Sequence, residues 1–319
     1  MTLDIPTDHR AARAAVAAHL GPRLGALRLL DDRRRVQDLL VFGGMWGAGV
    51  ALAAVGVELD GAARWGVLGV SVVASALALN AFVLLLHEGM HGVLFRSPAL
   101  NRAASVALGA TVLMSFSAYR VLHTQHHDAL GTDDDPDDYH AYTSRPLAFW
   151  TLQFLRLTLG AVLYLVAIPL VAARRGTAED RRQIAVEYVV LAALVGLAVW
   201  LVPRDVLVWG WLAPLPLVAL LVQVRGLTQH GLTDRHDALL ASRTVRPHPV
   251  VAFLLLNENY HLEHHLFPEV PSYRLPALHR AVWGRLPRAT EGRSYLGFLG
   301  RFVRQSVRQD ETPVGVVRR

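Results

Sequence analysis

The sequence predicts an all-α integral membrane protein. Four transmembrane helices form two hairpins, interfacial helices lie beside them, and a cytoplasmic cap carries clustered histidines. Three observations support this. The 319 residues are 53% hydrophobic and only 18% charged, whereas soluble domains carry about 25% charged residues. Four apolar stretches read as spans crossing about 30 Å of hydrocarbon. Eight of the fifteen histidines fall into three tight groups beside those stretches.

Taken in order, residues 1–38 are cytoplasmic. Residues 8–38 read as an amphipathic helix whose Arg10, Arg13, Arg23, Arg28 and Arg33–Arg35 form a solvated or lipid-facing basic stretch. Residues 39–86 are the first hairpin, with spans at 39–57 and 66–86 and a short external connection. Residues 87–183 stay cytoplasmic or interfacial. Within them 103–118 is too short to cross, and Arg156 near the middle of 147–171 would be costly in hydrocarbon. Residues 184–224 are the second hairpin, turning at Pro203, Arg204 and Asp205, with Pro214 and Pro216 expected to kink its last span. Residues 225–319 are cytoplasmic again. They end in a helix at 294–309 that sets Tyr295, Phe298, Leu299 and Phe302 against Arg301, Arg304 and Arg308, the pattern of an in-plane anchor. The whole is expected to be one domain. The N-terminus shows no secretory signal pattern.

Charge and cysteine content exclude several chemistries. The formal net charge is +6, and every basic residue is arginine. Arginines flanking membrane spans on the cytoplasmic side account for that balance, so no nucleic-acid partner is expected. Cysteine is absent, which rules out disulfides, thiolate zinc sites, cysteine-held iron–sulfur clusters and a cysteine nucleophile. Any metal must be held by nitrogen and oxygen.

The histidines supply the nitrogen. His87 and His91 sit in HEGMH at the end of the second span, sharing a helix face with Asn80. His123, His126 and His127 sit in HTQHH, and His261, His264 and His265 in NENYHLEHHLFPEVP. Offsets of i, i+3 and i+4 place side chains on one face of a helix. His230, in LTQHG just beyond the last span, is a ninth candidate. One transition metal accepts four to six ligands, so nine imidazoles imply two metals with positions left open. Imidazole suits iron as well as zinc, and a redox task favours iron. Glu88, Asp128, Glu258 and Glu263 are candidates to fix histidine tautomers from behind. Asn257 is a candidate to hold a metal-bound water or to end a helix. The acidic run at 132–138 reads as a solvated loop, with support of the second histidine group as its alternative role. His9, His19, His140, His236, His248 and His279 do not cluster and are assigned to structure.

The three boxes His87–His91, His123–His127 and His261–His265, in this order and around a membrane hairpin, resemble the membrane fatty acid desaturase and hydroxylase superfamily. The resemblance runs from about Asn80 to Pro276. It implies that the histidines bind two iron ions, that O₂ is the co-substrate, and that an unactivated C–H bond is attacked. His230 resembles the extra ligand upstream of the third box. The first expectation is a fatty acyl desaturase. A hydroxylase or ketolase of an acyl chain or carotenoid is the alternative, and a non-redox membrane zinc protein the remote one. Electrons must come from an external carrier, ferredoxin-like or similar, with its reductase, since no heme-binding HPGG or Gly-rich nucleotide motif is present. The arginine-only basic set suggests GC-rich coding, hence a bacterial cytoplasmic membrane with boxes and termini on the inner face.

Overall fold

The computed structural model describes residues 2–313 and 316–317, and these are mostly helical. The first helices are α1 (His9–Leu20), α2 (Pro22–Leu27), α3 (Asp32–Val57), α4 (Gly61–Met90), α5 (Pro98–Thr111) and α6 (Phe116–Ala129). Next come α7 (Pro146–Val162), α8 (Ile168–Arg175), α9 (Ala178–Leu201), α10 (Arg204–Leu207) and α11 (Pro214–His230). The last are α12 (Pro249–Leu254), α13 (His261–Leu266), α14 (Leu275–Val282) and α15 (Tyr295–Arg308). Strands β1 (Arg243–Val245), β2 (Thr290–Gly292) and β3 (Val316–Val317) form a small sheet, with β1 parallel and β3 antiparallel to the central β2. Strands this short are too brief for an alternating pattern to be seen in sequence.

Among the described residues four helices are long and apolar enough to cross a membrane: α3, α4, α9 and the stretch Arg204–His230. α3 and α4 pack against each other along their length. α9 exposes Val189, Val199, Trp200 and Leu201, and only 11% of its most apolar window is buried within the protein, so hydrocarbon is its natural surroundings. The segments read as interfacial are not straight spans. α5 meets α6 at 103°, and the chain turns between them through Leu113, whose φ is +58°.

The described chain divides into two compact units. One comprises Met1–Leu30, His123–Leu157 and Gln223–Arg319; the other comprises Asp31–Leu122 and Thr158–Val222. In the second unit, α3 and α4 approach closely through small residues, as membrane helices do. Ser71 Oγ donates to the Gly49 carbonyl at 2.7 Å, and a Cβ at Gly49 would collide with Ser75. Trp46 Nε1 donates to the Gly210 carbonyl at 3.1 Å.

One sequence expectation changes here. Arg33–Arg35 does not end an amphipathic helix. Asp31 accepts from the Arg33 and Arg34 amides and caps α3, so the arginine run forms the first turn of the membrane helix. Arg35 is only 1% exposed. It donates to Asp38 at 3.1 Å and is ion-paired with Glu88 on α4.

In the first unit, α1, α2, α13 and α14 share a core built on Val16, Leu20, Leu262, Leu266, Leu278 and Val282. The α15 helix departs from a purely lipid-facing anchor. Phe298 and Phe302 are buried against Phe149, Trp150 and Leu227, while Leu296, Val303 and Val307 remain exposed.

Candidate metal centre

The third box occupies α13, a helix of six residues whose side chains are all buried. So short a helix is marginal alone, and its neighbours hold it. Gln229 Nε2, one residue before His230, donates to the Glu258 carbonyl at 2.7 Å. Asn259 Nδ2 donates to the Val245 carbonyl at 2.9 Å, and the Val245 amide donates to the Asn259 carbonyl at 2.8 Å. The end of α11 is clamped in turn. Arg243, buried on the Phe298 ring, donates to the carbonyls of Thr228, Gly231 and Leu232. Thr228 lies in the last turn of the helix that carries His230, where carbonyls are otherwise left unsatisfied, and Gly231 and Leu232 follow its end directly. Burial pushes the Arg243 pKa down to about 9.

Within the first unit, seven of the nine candidate histidines converge. His126, His230 and His265 each offer a ring nitrogen within 4.8 Å of the others, as do His123, His127 and His264. His261 joins the first set, its Nε2 lying 2.8 Å from His230 Nε2 and 3.1 Å from His265 Nε2. His265 Nε2 lies 3.2 Å from His230 Nε2, and His264 Nε2 lies 3.2 Å from His127 Nε2. Two ligands about 2.0–2.1 Å from one metal at a right angle are about 3 Å apart, so the spacing is that of a coordination edge. A triangle of three such nitrogens is a poor hydrogen-bond set, because a neutral imidazole has one donor and one acceptor. The donor set therefore fits a pair of metal ions, and imidazole coordination suits iron as well as zinc. In the second unit, His87 is buried in the last turn of α4 and His91 caps that helix, with ring centroids 5.2 Å apart.

The acids divide by geometry. Asp135 holds His126, with Nδ1 to the two carboxylate oxygens at 2.8 and 3.0 Å. Burial alone would lower the His126 pKa, but the hydrogen bond and charge of Asp135 outweigh it and raise it. The same pull favours a cation bound at Nε2. His265 is driven the other way. Burial first, then the neighbouring histidines, hold its pKa well below the ordinary imidazole value, which leaves it neutral and able to bind metal.

Among the acids named from sequence, Glu258 is buried with Oε2 4.0 Å from His261 Nδ1. Glu263 turns away, accepting from Thr244 Oγ1 at 2.5 Å and pairing with His279 Nδ1 at 2.5 Å. Glu88 is buried against Arg35, and Asp128 is exposed. Asn257 does not sit a helical turn before His261. It follows Leu256 in left-handed backbone, with φ of +49° and +65° for the pair, in the bend that joins α12 to α13. Asp135, from the acidic run at 132–138, is the contact that sequence spacing did not single out. Its signal is an acid nine residues beyond His126, and a loop of that length reaches back only if it folds as this one does.

Replacing Asp135 by asparagine keeps the size and loses the charge. We expect iron affinity to fall by about 10–100-fold, read as iron lost to a competing chelator while the helical circular dichroism stays unchanged.

A cavity of ≈ 800 Å³ opens beside this cluster, lined by His127 and His265 with Arg10, Arg13 and Arg235 at its wall.

Residues 63–296 match the fatty acid desaturase family. The chain is 30% identical over 251 residues to a beta-carotene ketolase from Paracoccus sp. (strain N81106 / MBIC 01143), covering 75% of this chain and 91% of that protein. It is 24% identical over 217 residues to a mouse sphingolipid delta(4)-desaturase/C4-monooxygenase, covering 63% of this chain and 61% of that protein.

Proposed function

We propose that this chain, which belongs to the fatty acid desaturase family, oxygenates a methylene group of a long hydrophobic lipid, as a ketolase or hydroxylase. It is an enzyme of the membrane di-iron desaturase and oxygenase kind. Sequence alone put acyl desaturation first. The comparisons favour the alternative, and the observation that carries it is the similarity along 91% of the length of a beta-carotene ketolase. The mouse relative's name joins both outcomes, desaturase and monooxygenase, as expected if substrate placement decides between them on one kind of centre.

In this reading, which rests on the family's three histidine boxes, His87, His91, His123, His126, His127, His230, His261, His264 and His265 are the residues that would hold two iron ions. Iron bound there would supply O₂ activation, which no side chain can provide. The protein does the rest. Asp135 fixes the His126 tautomer so that Nε2 faces inward. Glu258, whose Oε2 lies 4.0 Å from His261 Nδ1, would act on that ring through its charge, and a supporting role at box one is also expected of Glu88, which is ion-paired with Arg35. Burial of Glu258, His261, His264 and His265 keeps bulk water from the reacting group. Each oxygenation consumes O₂, two electrons and two protons, inserts one oxygen atom into C–H and releases one water. Two rounds at one carbon give a geminal diol, which loses water to leave a ketone. Family members work with electron donors and lipid substrates. The donor here is a separate one-electron carrier with its reductase, approaching the arginine-lined cavity beside His127 and His265. The location is a bacterial cytoplasmic membrane, with boxes and termini on the inner face.

The test is expression of the gene in a host that accumulates β-carotene alongside its own acyl lipids, with mass spectrometry of both pools. A pigment or lipid that gains one oxygen and loses two hydrogens indicates a ketone, and a gain of one oxygen indicates an alcohol. Loss of two hydrogens alone would restore the desaturase reading.

A further inference from the structure

Box one ends where a membrane helix ends, and the second unit builds a pocket at that point. The cavity, ≈ 320 Å³, is lined by Arg96, Arg102 and Arg120 together with Phe95 and Phe116, and among the described residues no carboxylate lines it. At about 30 Å³ per water it has room for on the order of ten waters, the scale of a polar headgroup.

Its charged wall is organised in advance. The Arg102 and Arg120 guanidinium groups both lie over the Phe116 ring, 5.7 and 5.8 Å from its centroid. Each is held by an acid outside the lining, Arg102 by Glu187 at 3.0 Å and Arg120 by Asp180 at 3.1 Å. Glu187 also accepts from Ser115 Oγ, Ser117 Oγ and the Ser117 amide, so its charge is shared among four donors. The floor is tied as well. Asn101 accepts from the Leu94 and Phe95 amides and donates to the Gly89 carbonyl. The fork of guanidinium donors matches phosphate oxygens, and basic pockets at the ends of membrane helices suit anionic headgroups.

We propose that the Arg96–Arg102–Arg120 pocket is a binding site for the phosphodiester of an anionic lipid headgroup. A bound lipid would brace the loop that follows His91. The site does not depend on which substrate the metal centre oxidises.

The test uses the full-length protein in detergent, measured by native mass spectrometry with phosphatidylglycerol or inorganic phosphate. Arg96→Gln, at an exposed position, is the first variant; Arg120→Gln is the second, and exposed Arg174→Gln controls for total charge. Losing one charge-assisted hydrogen bond should weaken phosphatidylglycerol binding about tenfold in Arg96→Gln and Arg120→Gln, and leave it unchanged in Arg174→Gln. Retention of phosphatidylglycerol in excess inorganic phosphate supports a membrane lipid as the occupant. Displacement by phosphate keeps the pocket as a phosphate site but overturns the lipid assignment. No binding of either probe, or equal binding by all variants, overturns the proposal.

Discussion

His265→Ala is expected to abolish turnover and to strip iron from the purified protein. His265 is fully buried, its Nε2 contacts those of His230 and His261, and its ring stacks on His127 with centroids 4.3 Å apart. It thus touches both histidine sets of the first unit. Losing a ligand should exceed the about 10–100-fold effect of losing a supporting contact. The measurements are iron per protein by elemental analysis and product formation with an electron donor, beside size-exclusion and circular dichroism as checks on folding. A variant that stays folded, keeps its iron and turns over normally would remove His265 from the centre.

The largest effect on stability is expected at Arg35. Its guanidinium is paired with Asp38 and Glu88, and all three side chains are buried. Arg35→Met preserves much of the volume but leaves two buried carboxylates without that cation. Breaking a buried pair by removing one partner typically costs about 3–5 kcal/mol, and thermal unfolding of the detergent-solubilised protein should shift down accordingly. The double variant Arg35→Met with Glu88→Gln should lose less than the sum of the two single changes, because the groups share one network. Additive losses would mean that Arg35 and Glu88 do not interact.

These two sites differ in how far they could be read in advance. His265 is legible because the offsets among His261, His264 and His265 match one turn of helix, and that period needs no tertiary information. Arg35 is not. An arginine run at the edge of an apolar stretch usually faces water or lipid headgroups, and nothing local marks the third arginine as the buried one. Glu263 shows the same limit within the box itself. It stands between ligands in sequence, but a residue two positions after His261 is turned about 200° around the helix axis, and so it meets Thr244 and His279 instead.

The sequence by itself determined the four apolar helices, the absence of any cysteine ligand, the three histidine boxes and hence the family. Each rests on composition or on a period of a few residues. Only the tertiary structure decided which acids stand behind which histidines, that His230 and His261 bring their nitrogens within 2.8 Å, and that three arginines far from the ends of the chain share one pocket. Those facts depend on loops such as 130–138 and on clamps such as Arg243. Their geometry is set by long-range hydrogen bonds and burial, which no local pattern encodes.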